Sequence, residues 1–118
     1  VLTPRFLDVL ATEKIGPRRW RLLRELRYDS AVMGARIIVP EGFETDFSSV
    51  PRGPLVWWLA GGIGDYAGVI HDFLYNHRLG GRQMADDVFL EALRVEGVEG
   101  WRAWLMHTAV RWRGGAHW

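Results

Sequence analysis

A base, a carboxylate and a phenol stand within five residues in His71-Asp72-Phe73-Leu74-Tyr75, and the run Tyr66-Ala67-Gly68-Val69-Ile70 before them reads as the start of the same helix. On a helix His71 and Tyr75 lie one turn apart on a shared face, while Asp72 is rotated by about 100° from His71 and can hold a cation beside it. One helix can therefore set a general base next to a metal ion. The commoner use of such a pair is structural, a partly buried His-Asp contact that bridges neighbouring elements, so the company these residues keep decides between the two.

Partners stand on both sides. Upstream, the polar stretch Thr45-Asp46-Phe47-Ser48-Ser49-Val50-Pro51-Arg52-Gly53-Pro54 is a proline-stiffened loop, able to offer Asp46 and backbone carbonyls to a hard cation such as Ca²⁺, which prefers several oxygen ligands. Downstream, Ala85-Asp86-Asp87-Val88-Phe89 sets two acids on the next helix. Asp86 shares its inward face with Phe89 and Leu93, whereas Asp87 points to solvent. An inward carboxylate needs a donor, and His71 with Tyr75 supplies one. A phosphohydrolase of the His-Asp type requires a further histidine on an earlier helix, and no histidine precedes His71. A zinc site from His71, Asp72 and His107 is disfavoured because His107 lacks ligand spacing around it and reads as a core or surface residue; His77 and His117 read as surface residues.

The elements that must position these groups change character near residue 54. Residues 4–40 hold short mixed runs separated by Ile15-Gly16-Pro17, Met33-Gly34 and Val39-Pro40-Glu41-Gly42, the pattern of short strands joined by turns. Leu22, Leu23 and Leu26 are equally compatible with a helical start. Beyond Pro54 the expectation is a short apolar turn at 54–60, a glycine hinge at 61–64, and helices over 65–78, 82–96 and 100–113. The fold class is α+β: short antiparallel strands, then a three-helix core. A single domain is expected over 1–118, with strands and the metal-type loop in 1–53 and helices in 54–118.

Composition narrows the classes further. With 118 residues, 48% hydrophobic and 25% charged, the chain is long enough to bury a core. It has no cysteine, so neither a disulfide framework nor a thiolate site is available. A net charge of +1 gives no global argument for nucleic acid, and Arg18, Arg19 and Arg21 around Trp20 read as a solvated strand edge. No stretch approaches the roughly 18 apolar residues of a membrane span, and no signal peptide is evident, so synthesis in a cytoplasm is expected. Tryptophan is abundant, with seven in the chain. Trp101, Trp104, Leu105, Thr108 and Trp112 share one helical stripe, expected to be a core face packed under the His71 helix. Trp57 and Trp58 cannot both point inward from a regular segment, which leaves one for a lipid interface or a protein partner.

From Asp46 to Trp118 the chain resembles the bacterial and fungal type of phospholipase A2 in four segments: Asp46-Phe47-Ser48-Ser49, His71-Asp72-Phe73-Leu74-Tyr75, Asp86-Asp87-Val88-Phe89 and Ala109-Val110-Arg111-Trp112-Arg113-Gly114. Over its whole length, including Val39 to Arg52, it looks still more like a family of uncharacterised small proteins common in tailed bacteriophages and prophages. The first resemblance implies a three-helix phospholipase-like core. It implies His71 as general base, Asp86 as the acceptor of its other N–H, Tyr75 hydrogen-bonded behind them, and a Ca²⁺ site from Asp46, the Phe47 carbonyl and Asp72. The second implies a phage setting, with made-in-host synthesis, tail or virion proteins as partners and a place in the virion. The disulfides usual in the phospholipase family are absent here. Two functions remain open: a calcium-dependent acyl-ester hydrolase, and a non-catalytic virion or tail-assembly protein that retains the scaffold.

Overall fold

The computed structural model describes residues 2–47 and 64–113. Among them, six short strands come first: β1 (Arg5–Phe6), β2 (Thr12–Gly16), β3 (Arg19–Leu22), β4 (Leu26–Ser30), β5 (Ala35–Val39) and β6 (Glu44–Thr45). Three helices follow: α1 (Asp65–His77), α2 (Arg82–Val95) and α3 (Gly100–Arg113). The strands make two antiparallel sheets, ordered β1-β4-β5 and β2-β3-β6, so the architecture is mixed α+β with the strands leading. The expected turn at 54–60, most of the glycine hinge, the loop beyond Phe47, Trp57, Trp58 and His117 lie outside the described residues.

Turn chemistry and cross-strand charge explain the sheets. Gly34 closes the β4–β5 hairpin with φ 68°, and Asp29 faces Arg36 across it with a 2.7 Å bond from the guanidinium. In the second sheet Arg21 pairs with Glu13 and Arg19 with Glu44; β3 is hydrogen-bonded on both sides, between β2 and β6, so these arginines are ion-paired side chains on a middle strand and not the solvated strand edge expected. The stretch from Leu22 to Leu26 bends at Leu23 and Arg24, without a helical turn. It crosses from one sheet to the other while Leu22 and Leu26 stay buried. The short strand β6, which ends on the first residue of the stretch expected to be loop, is held by pairing Glu44 and Thr45 with Arg21 and Trp20.

The core lies between the sheets and helices. Leu26, Tyr28, Ile37 and Val39 meet Ile70 and Leu74 of α1 and Val88, Phe89 and Leu93 of α2 in one buried cluster. Helix α1 is buried almost all round because α2 covers one side and β5 and β6 touch the other. It ends in a left-handed residue, Arg78 at φ 50°, with the Leu79 N–H reaching back to the Leu74 carbonyl; α2 ends the same way at Gly97, φ 93°, where glycine meets no steric cost. The Glu91 carboxylate ties α2 to the β4–β5 hairpin by accepting the Tyr28 hydroxyl at 2.8 Å and the N–H groups of Ala31 and Val32.

Helix α3 is turned the other way from expectation. It packs on α2 through Ala103, Met106 and Val110, and the stripe of Trp101, Trp104, Leu105 and Trp112 faces outward, with Trp112 85% exposed. The charged flank explains the choice of face. Only with this side inward do His107 and Arg111 meet Asp87 and Asp86 on α2. An apolar stripe alone does not say which of two apolar faces is covered. Urea unfolding checks this orientation: Met106→Ala is expected to cost about 2–3 kcal/mol, and Trp104→Ser to stay within about 0.5 kcal/mol of the parent. The reverse order would place the tryptophans in the core.

Candidate functional site

Three helices converge on one carboxylate. Asp86, in the first turns of α2, has no exposed surface, and each of its oxygens accepts hydrogen bonds. On Oδ1 it receives the Tyr75 hydroxyl and His71 Nε2, both at 2.7 Å from α1, and on Oδ2 it receives Arg111 Nη1 at 2.9 Å from α3. His71 and Tyr75 meet it together because they stand one helical turn apart. Their rings pack at 4.2 Å, and Phe89, one turn past Asp86, covers the imidazole from α2 at 4.8 Å.

The electrostatics fix which atom carries which proton. Burial pushes the Asp86 carboxyl up, but the bonds from His71 and Tyr75, the charge of His71 and the bond from Arg111 outweigh it and hold the group below its ordinary value. An ionised Asp86 can only accept, so His71 Nε2 carries a proton and Nδ1 is the basic nitrogen when the ring is neutral. Tyr75 stays a donor throughout, since burial and the neighbouring carboxylate raise its phenol to about 12. Arg82 also reaches the Tyr75 hydroxyl and bonds the Arg111 backbone carbonyl, which joins the start of α2 to the end of α3.

The residues expected to hold a cation come from a second junction. Asp72 sits on α1 next to His71, and its carboxylate accepts the Thr45 hydroxyl and the Asp46 N–H from the end of β6. Burial, with the charge of Asp46 beside it, raises the Asp72 carboxyl. Phe47 follows in a left-handed conformation, φ 53°, with its N–H on Thr45 Oγ1 at 3.1 Å and its ring edge-on to Trp20 at 5.0 Å. Asp46 and Asp72 are thus brought together with the Phe47 backbone. The donor set is all oxygen, which suits a hard cation. Among the described residues no group of three or more His, Asp or Glu side chains is gathered as a metal cage. A cation here would lean on backbone oxygens and water.

Other expectations sort differently. His107 lies 3.1 Å from Asp87 and is remote in role from Asp72, so the described residues do not assemble the zinc set. Asp87 is half-buried and paired, not simply solvated. His77 is exposed, with Nδ1 3.1 Å from the Phe73 carbonyl. Arg111 is the functional neighbour that local reading passes over. It stands 25 residues from Asp86 among many arginines, and its one signal is its place in Ala109-Val110-Arg111.

A family model described as "Protein of unknown function (DUF1353)" matches residues 20–110. The chain belongs to the DUF1353 family. The span that defines this DUF1353 protein runs from β3 into α3 and includes His71, Asp72, Tyr75, Asp86, Asp46 and Phe47, stopping one residue short of Arg111. No match was found among curated proteins or among solved structures. No helix among the described residues is long and apolar enough to cross a membrane.

The helix bearing His71 is anchored at its start by Glu96, just past α2. Its carboxylate accepts the N–H groups of Ala67 at 2.5 Å and Gly64 at 3.2 Å, capping a helix whose own first residues offer no side-chain cap. Burial, reinforced by the charge of Asp65, pushes Glu96 up to about 7 from an unfolded value near 4.5, against the pull of those N–H groups. The folded protein therefore holds this proton more tightly, and stability contributed below pH 4.5 is lost as pH rises through 7. Glu96→Gln is expected to flatten the fall in stability between these limits, measured as Tm against pH; an unchanged slope would assign it to other groups. Arg111→Met, which removes one donor from a buried carboxylate, is expected to cost about 1–3 kcal/mol in urea unfolding.

Proposed function

We propose that this chain is a phage-encoded, tail- or envelope-associated hydrolase of the phospholipase A2 kind, which cleaves an acyl ester with a His-Asp dyad beside a Ca²⁺ site. The observation that carries the reading is the 2.7 Å contact of His71 Nε2 with a fully buried Asp86 that Tyr75 and Arg111 also hold. Such an arrangement fixes one tautomer and stabilises an imidazolium, which is what a general base needs. His71 Nδ1 takes a proton from water as the water oxygen bonds to the ester carbonyl carbon. The same proton passes to the leaving alkoxide as the C–O bond breaks, giving a free acid and an alcohol. Asp86 stays ionised and offsets the imidazolium charge, Tyr75 and Arg111 keep its oxygens aimed, and no covalent enzyme intermediate forms. Asp46, Asp72 and the Phe47 carbonyl would hold the cation, which when bound polarises the ester carbonyl.

The phospholipase likeness of the three-helix core and the phage setting both rest on the sequence resemblances. A second reading, a virion or tail-assembly protein that keeps the cluster only for stability, draws support from the burial of the dyad, with His71 3% and Asp86 0% exposed. Hydrolysis of a short-chain phospholipid separates them. Activity is expected to fall about a hundredfold or more on His71→Ala and to vanish with chelator, with recovery on added Ca²⁺. A folded, calcium-loaded protein without any ester hydrolysis would leave the assembly role.

A further inference from the structure

The outward stripe of α3 has no counterpart in the proposed chemistry. Trp104, Trp101, Trp112 and Leu105 are all exposed and span three turns of one helix, so the largest apolar side chains of this element point away from the core while its smaller Ala103, Met106 and Val110 point in. An apolar face of this kind needs a cover.

The surroundings of the stripe say which kind. Gly100–Arg113 contains no Asp or Glu, and at 100° per residue Arg102 falls on one side of the stripe and Arg111 on the other. Arg102 lies over the Trp101 ring at 5.1 Å, and Arg111 is half-exposed although it bonds Asp86. At the N-terminal end of the stripe Glu99 accepts the Trp101 indole N–H at 2.8 Å. The charge of Arg111 is met by Asp86, so Arg102 is the cation beside the indole ridge, and it favours an anionic occupant. The face is the convex side of a single helix, which conforms to a deformable headgroup layer, and indoles favour that depth of a bilayer.

We infer that the outer face of α3 docks on an anionic lipid surface, with Trp104 and Trp112 entering the headgroup layer and Arg102 facing the lipid phosphates. The inference stands on the stripe and its charge, independently of ester hydrolysis. Co-sedimentation with vesicles of ether-linked phosphatidylcholine, with and without ether-linked phosphatidylglycerol, tests it on lipids that cannot be hydrolysed at an ester. Binding is expected only when phosphatidylglycerol is present, with a blue shift of tryptophan emission and release by salt. Trp104→Ser with Trp112→Ser is expected to weaken it about tenfold or more, and Arg102→Gln about fivefold, with helical circular dichroism unchanged. Absence of parent binding, equal binding to neutral vesicles, or undiminished binding of the folded double variant overturns the inference. So does a lipid-independent dimer in sedimentation velocity that the double substitution dissolves.

Discussion

A carboxylate with no exposed surface must be answered by donors, and at Asp86 those donors define how the helices sit. Two come from α1 and one from α3, so a single side chain on α2 fixes both neighbours. Removing a charge from water costs several kcal/mol unless it is bonded on all sides. The cluster therefore constrains rotation of α1 about its axis, because only one face presents His71 and Tyr75 together. It constrains α3 as well, where it selects the side bearing Arg111 over the side bearing tryptophan.

The same constraint explains what could be read from the chain. The helices over 65–78, 82–96 and 100–113 stood out because glycines punctuate them and apolar residues recur at helical spacing; their ends differ by a residue at most. The meeting of His71, Tyr75 and Asp86 was legible too, since spacing on each helix put the three on inward faces. Asp46 and Asp72 were likewise expected together, although the bonds from Thr45 and the Asp46 N–H depend on β6, a two-residue strand too short to leave a pattern. Arg111 and the outward tryptophans escaped for one shared reason. Periodicity finds stripes but does not rank them, and on α3 the deciding quantity is a charge pairing across 25 residues.

The two junctions on α1 differ in their electrical character. Around Asp86 the donors outweigh desolvation and the carboxylate is held ionised, while one residue along the helix from His71 burial prevails and Asp72 is raised.

Glu96 and Asp86 sit near opposite ends of α2, and each grips α1: the first holds its opening N–H groups, the second its closing turns. The two helices are thereby riveted at both extremities in one register. Adding or deleting a residue inside either would swing everything beyond it by about 100° and unseat one rivet. Length variation can be absorbed at the bend of residues 79–81, so divergence in this pair of helices should collect there and spare the rods themselves.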